Sequence, residues 1–259
     1  MVRPKKHLGQ HFLRDDNIAR KIVGYLPPET SNVLEIGPGT GILTKYLIPS
    51  VAYNYLAIEV DKESIEYLKN HFPLNSEKFI LGDFLKMDLE KLFQDKVSII
   101  GNFPYNISSQ ILFKILENRN KVTDVIGMFQ KEVGERISSS SGSKKYGILS
   151  VLVQAYFQID YLFTVNENVF YPPPKVKSAV IMLKRNQIKA LDCNEKLFFE
   201  IVKTGFNQRR KTLRNSLRKY SFPETGKIID LLKKRAEQLD VGDFVYLTQN
   251  VINKTNESR

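Results

Sequence analysis

Five short apolar runs, rich in β-branched residues, recur with helix-length spacers between them, and this alternation constrains the chain most. The runs cover 32–36, 55–60, 78–81, 97–100 and 122–129, and helical periodicity follows most of them. Strands alternating with helices predict parallel βαβ units wound right-handed. A late pair of runs, 157–165 and 176–183, is joined across Tyr171-Pro172-Pro173-Pro174 and is expected to close the sheet with antiparallel members. A polar stretch, 184–194, then leads into a largely helical remainder. The expected organisation is an α/β domain over 1–187 with a basic N-terminal arm, and a small basic helical domain over 188–259. The serine-rich stretch 138–145 reads as a surface loop, and no internal repeat is present.

Open α/β sheets bind ligands beyond the carboxyl ends of their strands, so chemistry is sought in the loops that follow the runs. The first run enters Gly37-Pro38-Gly39-Thr40-Gly41. Glycines there permit positive φ and a close approach of backbone to ligand. Ile42 stands where the dinucleotide fingerprint needs a later glycine, which disfavours a nicotinamide enzyme. Glu59 ends the second run, 18 residues past Gly41, where it can accept hydrogen bonds from two ribose hydroxyls. Asp83 ends the third and can accept from an adenine amine. One acid at a strand end is commonly just solvated. Two of them on successive strands beside a glycine turn point to a nucleoside cofactor.

The fourth run leads into Gly101-Asn102-Phe103-Pro104-Tyr105-Asn106. The Asn102 side-chain oxygen and the Phe103 carbonyl can both accept hydrogen bonds from an exocyclic amino group. Pro104 fixes the backbone direction, and the Tyr105 ring can stack on a base. A plain Asx-Pro turn is the competing reading of these four residues.

Charge narrows the partner. The chain carries 39 Lys and Arg against 28 Asp and Glu, a net +11, and residues 188–259 hold 15 basic against 9 acidic groups. The segment 206–220 is expected to form one helix, with Phe206, Leu213, Leu217 and Tyr220 inside an arc of about 60° facing a core. Lys211, Arg214 and Arg218 lie round one side of that helix, while Arg209 and Arg210 border the stripe itself. Snorkelling arginines on a solvated helix are one reading. Six basic residues and no acid within 207–219 favour RNA phosphates, with Lys175, Lys177, Arg3, Lys5 and Lys6 adding contacts. Cys193 is the only cysteine, so neither a disulfide framework nor a cysteine-based metal cluster is possible within the chain, and no metal is expected. No apolar run reaches membrane-spanning length, and the segment 7–16 is too polar for a signal-peptide core, so a cytoplasmic protein is expected.

Taken in order, Glu35-x-Gly37-x-Gly39-x-Gly41, Glu59-Val60-Asp61, Gly82-Asp83 and Asn102-Phe103-Pro104-Tyr105 resemble the Rossmann-like S-adenosylmethionine-dependent methyltransferases with an Asn-Pro-Pro-Tyr-type motif. More narrowly, the stretches 6–13, 102–108, 130–133, 172–180 and 206–217 resemble the ribosomal RNA adenine dimethyltransferase family, above all its KsgA-type 16S rRNA dimethyladenosine transferases. The resemblance implies S-adenosyl-L-methionine as cofactor, held by His11, Leu13, Gly37, Gly39, Glu59, Asp83 and Asn102. His11 stands where many relatives have Asn, and a neutral imidazole can still donate one hydrogen bond. The implied activity is N6,N6-dimethylation of two adjacent adenosines in a hairpin loop near the 3′ end of 16S rRNA. The implied setting is small (30S) ribosomal subunit biogenesis, by a monomer with no membrane partner. A 23S rRNA methyltransferase of the macrolide-resistance type and a mainly structural assembly factor are the alternatives, and the stretches 172–180 and 206–217 lean towards the 16S type.

Overall fold

The computed structural model describes residues 2–252. They form two compact units, one of residues 2–134 with 158–185 and one of 135–157 with 186–252. The chain therefore enters the second unit twice. The boundary expected at 187/188 falls within two residues of the later crossing, whereas 135–157, expected in the first domain, packs with the C-terminal helices.

The first unit is built on a seven-stranded sheet and a two-stranded ribbon. The strands are β1 (Phe12–Leu13), β2 (Asn32–Ile36), β3 (Asn54–Glu59), β4 (Phe79–Leu81), β5 (Val97–Asn102), β6 (Val122–Gln130), β7 (Phe157–Val165), β8 (Phe170–Tyr171) and β9 (Ser178–Arg185). The large sheet runs β4-β3-β2-β5-β6-β9-β7. Its five expected βαβ strands are parallel neighbours, and β9 joins β6 antiparallel, as expected of the late pair. β2 and β5 are buried almost throughout, as strands covered on both faces must be. Val33, Ala57, Ile100, Ile126 and Val180, one from each of five strands, share one apolar cluster with Leu43, Leu47 and Leu68 from the segments that follow β2 and β3.

Sheet order fixes the site. Chain order reverses between β2 and β5, and ligands bind in the crevice outside such a switch point. Leu34 pairs with Ile99 and Glu35 with Ile100, so the glycine turn after β2 and Asn102 at the end of β5 stand at the same level.

In the second unit Phe198, Ile201, Val202, Leu213, Ala236, Leu239 and Phe244 are all fully buried. Phe206 stacks on Phe244 with ring centroids 6.0 Å apart. The single helix expected over 206–220 is two pieces. One helix, Glu195–Asn207, ends at Gln208, and a short one follows over Leu213–Ser216. Between them the backbone pairs elsewhere: Lys211 N–H donates to the Gln208 carbonyl and Leu213 N–H to that of Lys234. Thr212 also bridges Arg235. The apolar spacing survives because both pieces present Phe206, Leu213 and Leu217 to the same core. Tyr220 is only half-buried.

Candidate active site

Asn102 ends β5, so its backbone is held by the β6 ladder opposite Met128. Its side chain is held as well, since Nδ2 donates to the His11 carbonyl at 2.8 Å. That bond uses the donor end of the amide and leaves Oδ1 as an acceptor. Phe103 sends its ring into the core, 1% exposed, edge-on to Phe129 at 5.0 Å. Gly101 and Gly127 make room for it, because a Cβ at either would stand within 2.8 Å of the ring. The Phe103 N–H donates to the Met128 carbonyl at 3.1 Å, while its own carbonyl accepts nothing from any described residue. Tyr105 is tethered through its hydroxyl to Ser178 Oγ at 2.5 Å, and burial pushes that phenol up from its ordinary range. Its ring lies 5.4 Å from that of His11.

The glycine turn is built as its sequence implies. Gly37, Gly39 and Gly41 have φ of 67°, 57° and 81°. Gly39 is also needed for space, since a Cβ there would meet the Phe12 ring at 2.8 Å, whereas the Cβ direction of Gly37 is open. Glu59, 5% exposed, accepts from Gly39 N–H at 3.1 Å and Asp61 N–H at 2.9 Å. Burial raises its pKa, against the pull of these backbone donors. Gly37, Gly39, Glu59, Asn102, Phe103, Pro104 and Tyr105 together line one cavity of about 50 Å³, with Leu8 to Phe12 of the arm along its other side. A smaller cavity beside it is lined by Leu13, Glu35, Gly37, Gly39 and Asn102. The tertiary structure thus brings together the tetrad 102–105, His11, Leu13, both glycines and Glu59. Asp83 does not line either cavity. It lies two residues past the end of β4, one strand further out than Glu59, and its Oδ1 caps the next turn by accepting from Leu85 N–H.

Several contacts at the site carry no sequence signal of their own. The arm is latched by Lys5, whose ammonium bonds the buried Asp61 carboxylate, and by Gln10, whose Nε2 reaches the other Asp61 oxygen at 3.2 Å. Burial works against the charge on Asp61, but the bonds from Lys5, Gln10 and Ser64 hold its carboxyl below the usual range. Phe12 and Leu13 pair with Tyr171 and Phe170, and His11 Nδ1 lies 2.7 Å from the Pro172 carbonyl. Glu35, 1% exposed, accepts from Thr44 Oγ1 at 2.8 Å and from the Tyr55 hydroxyl at 2.5 Å. Burial raises its carboxyl to about 7, against those two hydrogen bonds, and Glu59 pushes the same way.

In the second unit Arg210, Lys211, Arg214 and Arg218 are exposed, and none makes an ion pair with a described residue. Arg209 is engaged: its Nε donates to Glu237 at 2.6 Å, and a terminal nitrogen to the Lys144 carbonyl. Lys175, in the first unit, borders a cleft of about 610 Å³ that shares His11 and Tyr105 with the tetrad cavity.

Comparison with known proteins accords with this geometry. The chain is 54% identical to the ribosomal RNA small subunit methyltransferase A of Cytophaga hutchinsonii over 255 residues, 98% of this chain and 99% of that protein. It is 52% identical to the protein of the same name from Parabacteroides distasonis, over 96% of this chain and 94% of the relative. Among solved structures, a dimethyladenosine transferase from Plasmodium falciparum superposes with a TM-score of 0.76 at 26% identity, covering 92% of this chain and 96% of that one. The 23S rRNA methyltransferase ErmE shares the fold, with a TM-score of 0.69 at 22% identity over 92% of this chain and 99% of its own. A family model described as ribosomal RNA adenine dimethylase matches residues 1–254, and the chain belongs to that family.

Proposed function

We propose that the protein transfers methyl groups from S-adenosyl-L-methionine to the N6 amines of two adjacent adenosines in 16S rRNA of the small (30S) ribosomal subunit. The observation that carries this reading is the pinned amide of Asn102: its donor end is spent on the His11 carbonyl, and its acceptor end belongs to a residue lining the cavity of the glycine turn.

The residues of that cavity fit a nucleoside cofactor. Glu59 keeps lone pairs for ribose hydroxyls beside its two backbone donors, the Gly37 side of the turn is open, and no Cβ blocks approach there. Asp83, one strand further out, is assigned to the adenine end.

When bound, S-adenosylmethionine supplies an electrophilic methyl group on a sulfonium and departs as a neutral thioether. The protein's task is to make a poor nucleophile attack. Adenine N6 shares its lone pair with the ring, and that pair must localise as the new bond forms. Asn102 Oδ1 and the Phe103 carbonyl accept from the two N6 hydrogens and favour the nitrogen as positive charge develops on it. Such fixed acceptors stabilise the transition state more than the ground state. Tyr105, anchored at its hydroxyl by Ser178, stacks on the extruded base and holds it in line. After attack the nitrogen is acidic and loses its proton to solvent, so no strong base is required beforehand. His11 serves through its backbone, holding Asn102 in register.

Arg210, Lys211, Arg214 and Arg218, with Lys175, supply phosphate contacts, and Arg209 joins them only by giving up its pairing with Glu237. The protein is proposed to act as a monomer. No helix among the described residues is long and apolar enough to cross a membrane, and the ribosomal substrate supports a cytoplasmic site of action. The large-subunit alternative is not favoured, because relatives at 50–54% identity carry the small-subunit name and the 23S enzyme is alike at 22%. The decisive experiment offers separated small and large ribosomal subunits with labelled cofactor and maps the modified base. Label confined to two adjacent adenosines of the small subunit is expected, and label on the large subunit alone would refute the assignment.

A further inference from the structure

The cleft beside the tetrad has features that methyl transfer to one base does not use. It encloses about 610 Å³, within the range of sites that hold a nucleotide-sized ligand, and it opens from the tetrad cavity across His11 and Tyr105. One wall is apolar and rigid, made of Pro172, Pro173, Pro174 and Val176, the last 47% exposed. Lys6 and Lys175 stand exposed at its border, and none of its lining residues is acidic. Gly9 brings the arm close to this space: its φ is 65°, and a Cβ there would stand 2.5 Å from Asn106 Oδ1.

Gln130 is the polar group left over. It is the last residue of β6, paired across the ladder with Ser178, the residue that holds the Tyr105 hydroxyl. The backbone beyond it is also fixed, since Lys131 N–H donates to the Lys177 carbonyl at 2.9 Å. The Gln130 side chain is half-buried, lines the cleft and makes no hydrogen bond with any described residue. A half-buried amide without a partner, on a rigid strand end in a basic, prolyl-walled cleft, suits one edge of a nucleobase. Its oxygen and NH2 match the adjacent donor and acceptor that adenine presents at N6 and a ring nitrogen.

We propose that this cleft holds the nucleotide next to the target adenosine, its base face against the proline wall and its phosphate near Lys6 and Lys175, and that Gln130 reads that base as an adenine. The proposal rests on the adenosine methyltransferase reading above and adds a second, sequence-selective subsite to it. The stacking group for the target and the reading group for its neighbour are tied to one register of the β6–β9 ladder, so the two bases are gripped together. Unpaired RNA bases are recognised in this way, by stacking on one face and hydrogen bonding along an edge.

The test uses the full chain and small subunits reconstituted with transcribed 16S rRNA in which one or the other of the two adjacent target adenosines is changed to uridine. Transfer is measured, and so is equilibrium binding of the corresponding fluorescent RNA hairpins. For the wild-type protein one of the two substitutions is expected to weaken hairpin binding by about fivefold or more, the smallest effect of losing a bidentate amide–base pair. Gln130→Ala is expected to bind both hairpins alike while cofactor affinity stays unchanged. Gln130→Glu, which cannot donate to a ring nitrogen, is expected to bind the adenine form no better than the uracil form. Absence of any transfer to unaltered small subunits would sink the underlying function. Transfer with wild-type indifference to both neighbours, or discrimination retained in Gln130→Ala and Gln130→Glu, would overturn this proposal alone.

Discussion

Replacing Asn102 by Ala separates two jobs that the structure gives to one side chain. The first is a tether, the 2.8 Å bond from Nδ2 to the His11 carbonyl that ties the arm to β5. A hydrogen bond of this kind is worth about 1 kcal/mol net, so its loss weakens arm closure, and with it cofactor affinity, about fivefold. The second job is the Oδ1 acceptor at the reacting nitrogen. Removing one preorganised hydrogen-bonding group of this type costs about 2.7–4 kcal/mol of transition-state stabilisation, or about 10²–10³ in rate. The Phe103 carbonyl remains in the variant, so some transfer persists. Single-turnover transfer of labelled methyl groups at saturating cofactor measures the second effect, and equilibrium dialysis of the cofactor measures the first. Asn102 is only half-buried and lies outside the apolar cluster, so the melting temperature should move little. A variant that keeps its cofactor affinity and transfers within threefold of the wild-type rate would refute the mechanism.

Four further outcomes are expected. The Glu35 carboxyl is raised from 4.5 to about 7, so the folded state binds more protons than the unfolded one between these values, and stability falls as pH rises through that window by about 3 kcal/mol. Gln at 35 should flatten that fall in urea titrations at pH 5 and 8, and an unchanged difference between wild type and variant would contradict it. Ser178→Ala leaves the half-buried Tyr105 hydroxyl without a partner, costing about 1–3 kcal/mol. Adding Tyr105→Phe should recover most of that stability, and strict additivity in the double-mutant cycle would count against the pairing. Lys5→Ala should speed amide exchange across 8–12 and cofactor release. Since Asp61 is held below the usual carboxylate range, the latch is intact above about pH 4 and is lost as pH falls further; unaltered exchange would dismiss the latch. Replacing Arg210, Lys211, Arg214 and Arg218 by Ala should reduce the dependence of log affinity for rRNA on log salt by about 0.7 for each phosphate no longer neutralised, and an identical slope would remove these residues from the RNA surface.

Why some of this was legible from residues and some was not follows from how far each signal reaches. The parallel core needed only runs of Val, Ile and Leu separated by helical periodicity, and β2, β3, β5 and β6 lie within two residues of where those runs place them. The glycine turn, Glu59 and Asn102 were visible as loop residues at strand ends because their chemistry is local. The basic segment misled at one point. Residues 7 and 4 apart satisfy a helical stripe, but a turn pairing with Lys234 and Arg235 presents the same side chains to the same core, and one-dimensional spacing does not separate the two.

The sequence by itself determined the alternating fold class, the residues able to accept from an amine or a ribose, and a charge that calls for a polyanion, since each depends on residue type and short spacing alone. Only the tertiary structure decided that β2 and β5 are neighbours, which puts position 37 level with position 102. It also decided that Asn102 meets His11 across 91 residues, Tyr105 meets Ser178 across 73 and Lys5 meets Asp61 across 56. Contacts of that reach depend on strand order and on where the arm lies, and both are set by burial of the whole sheet.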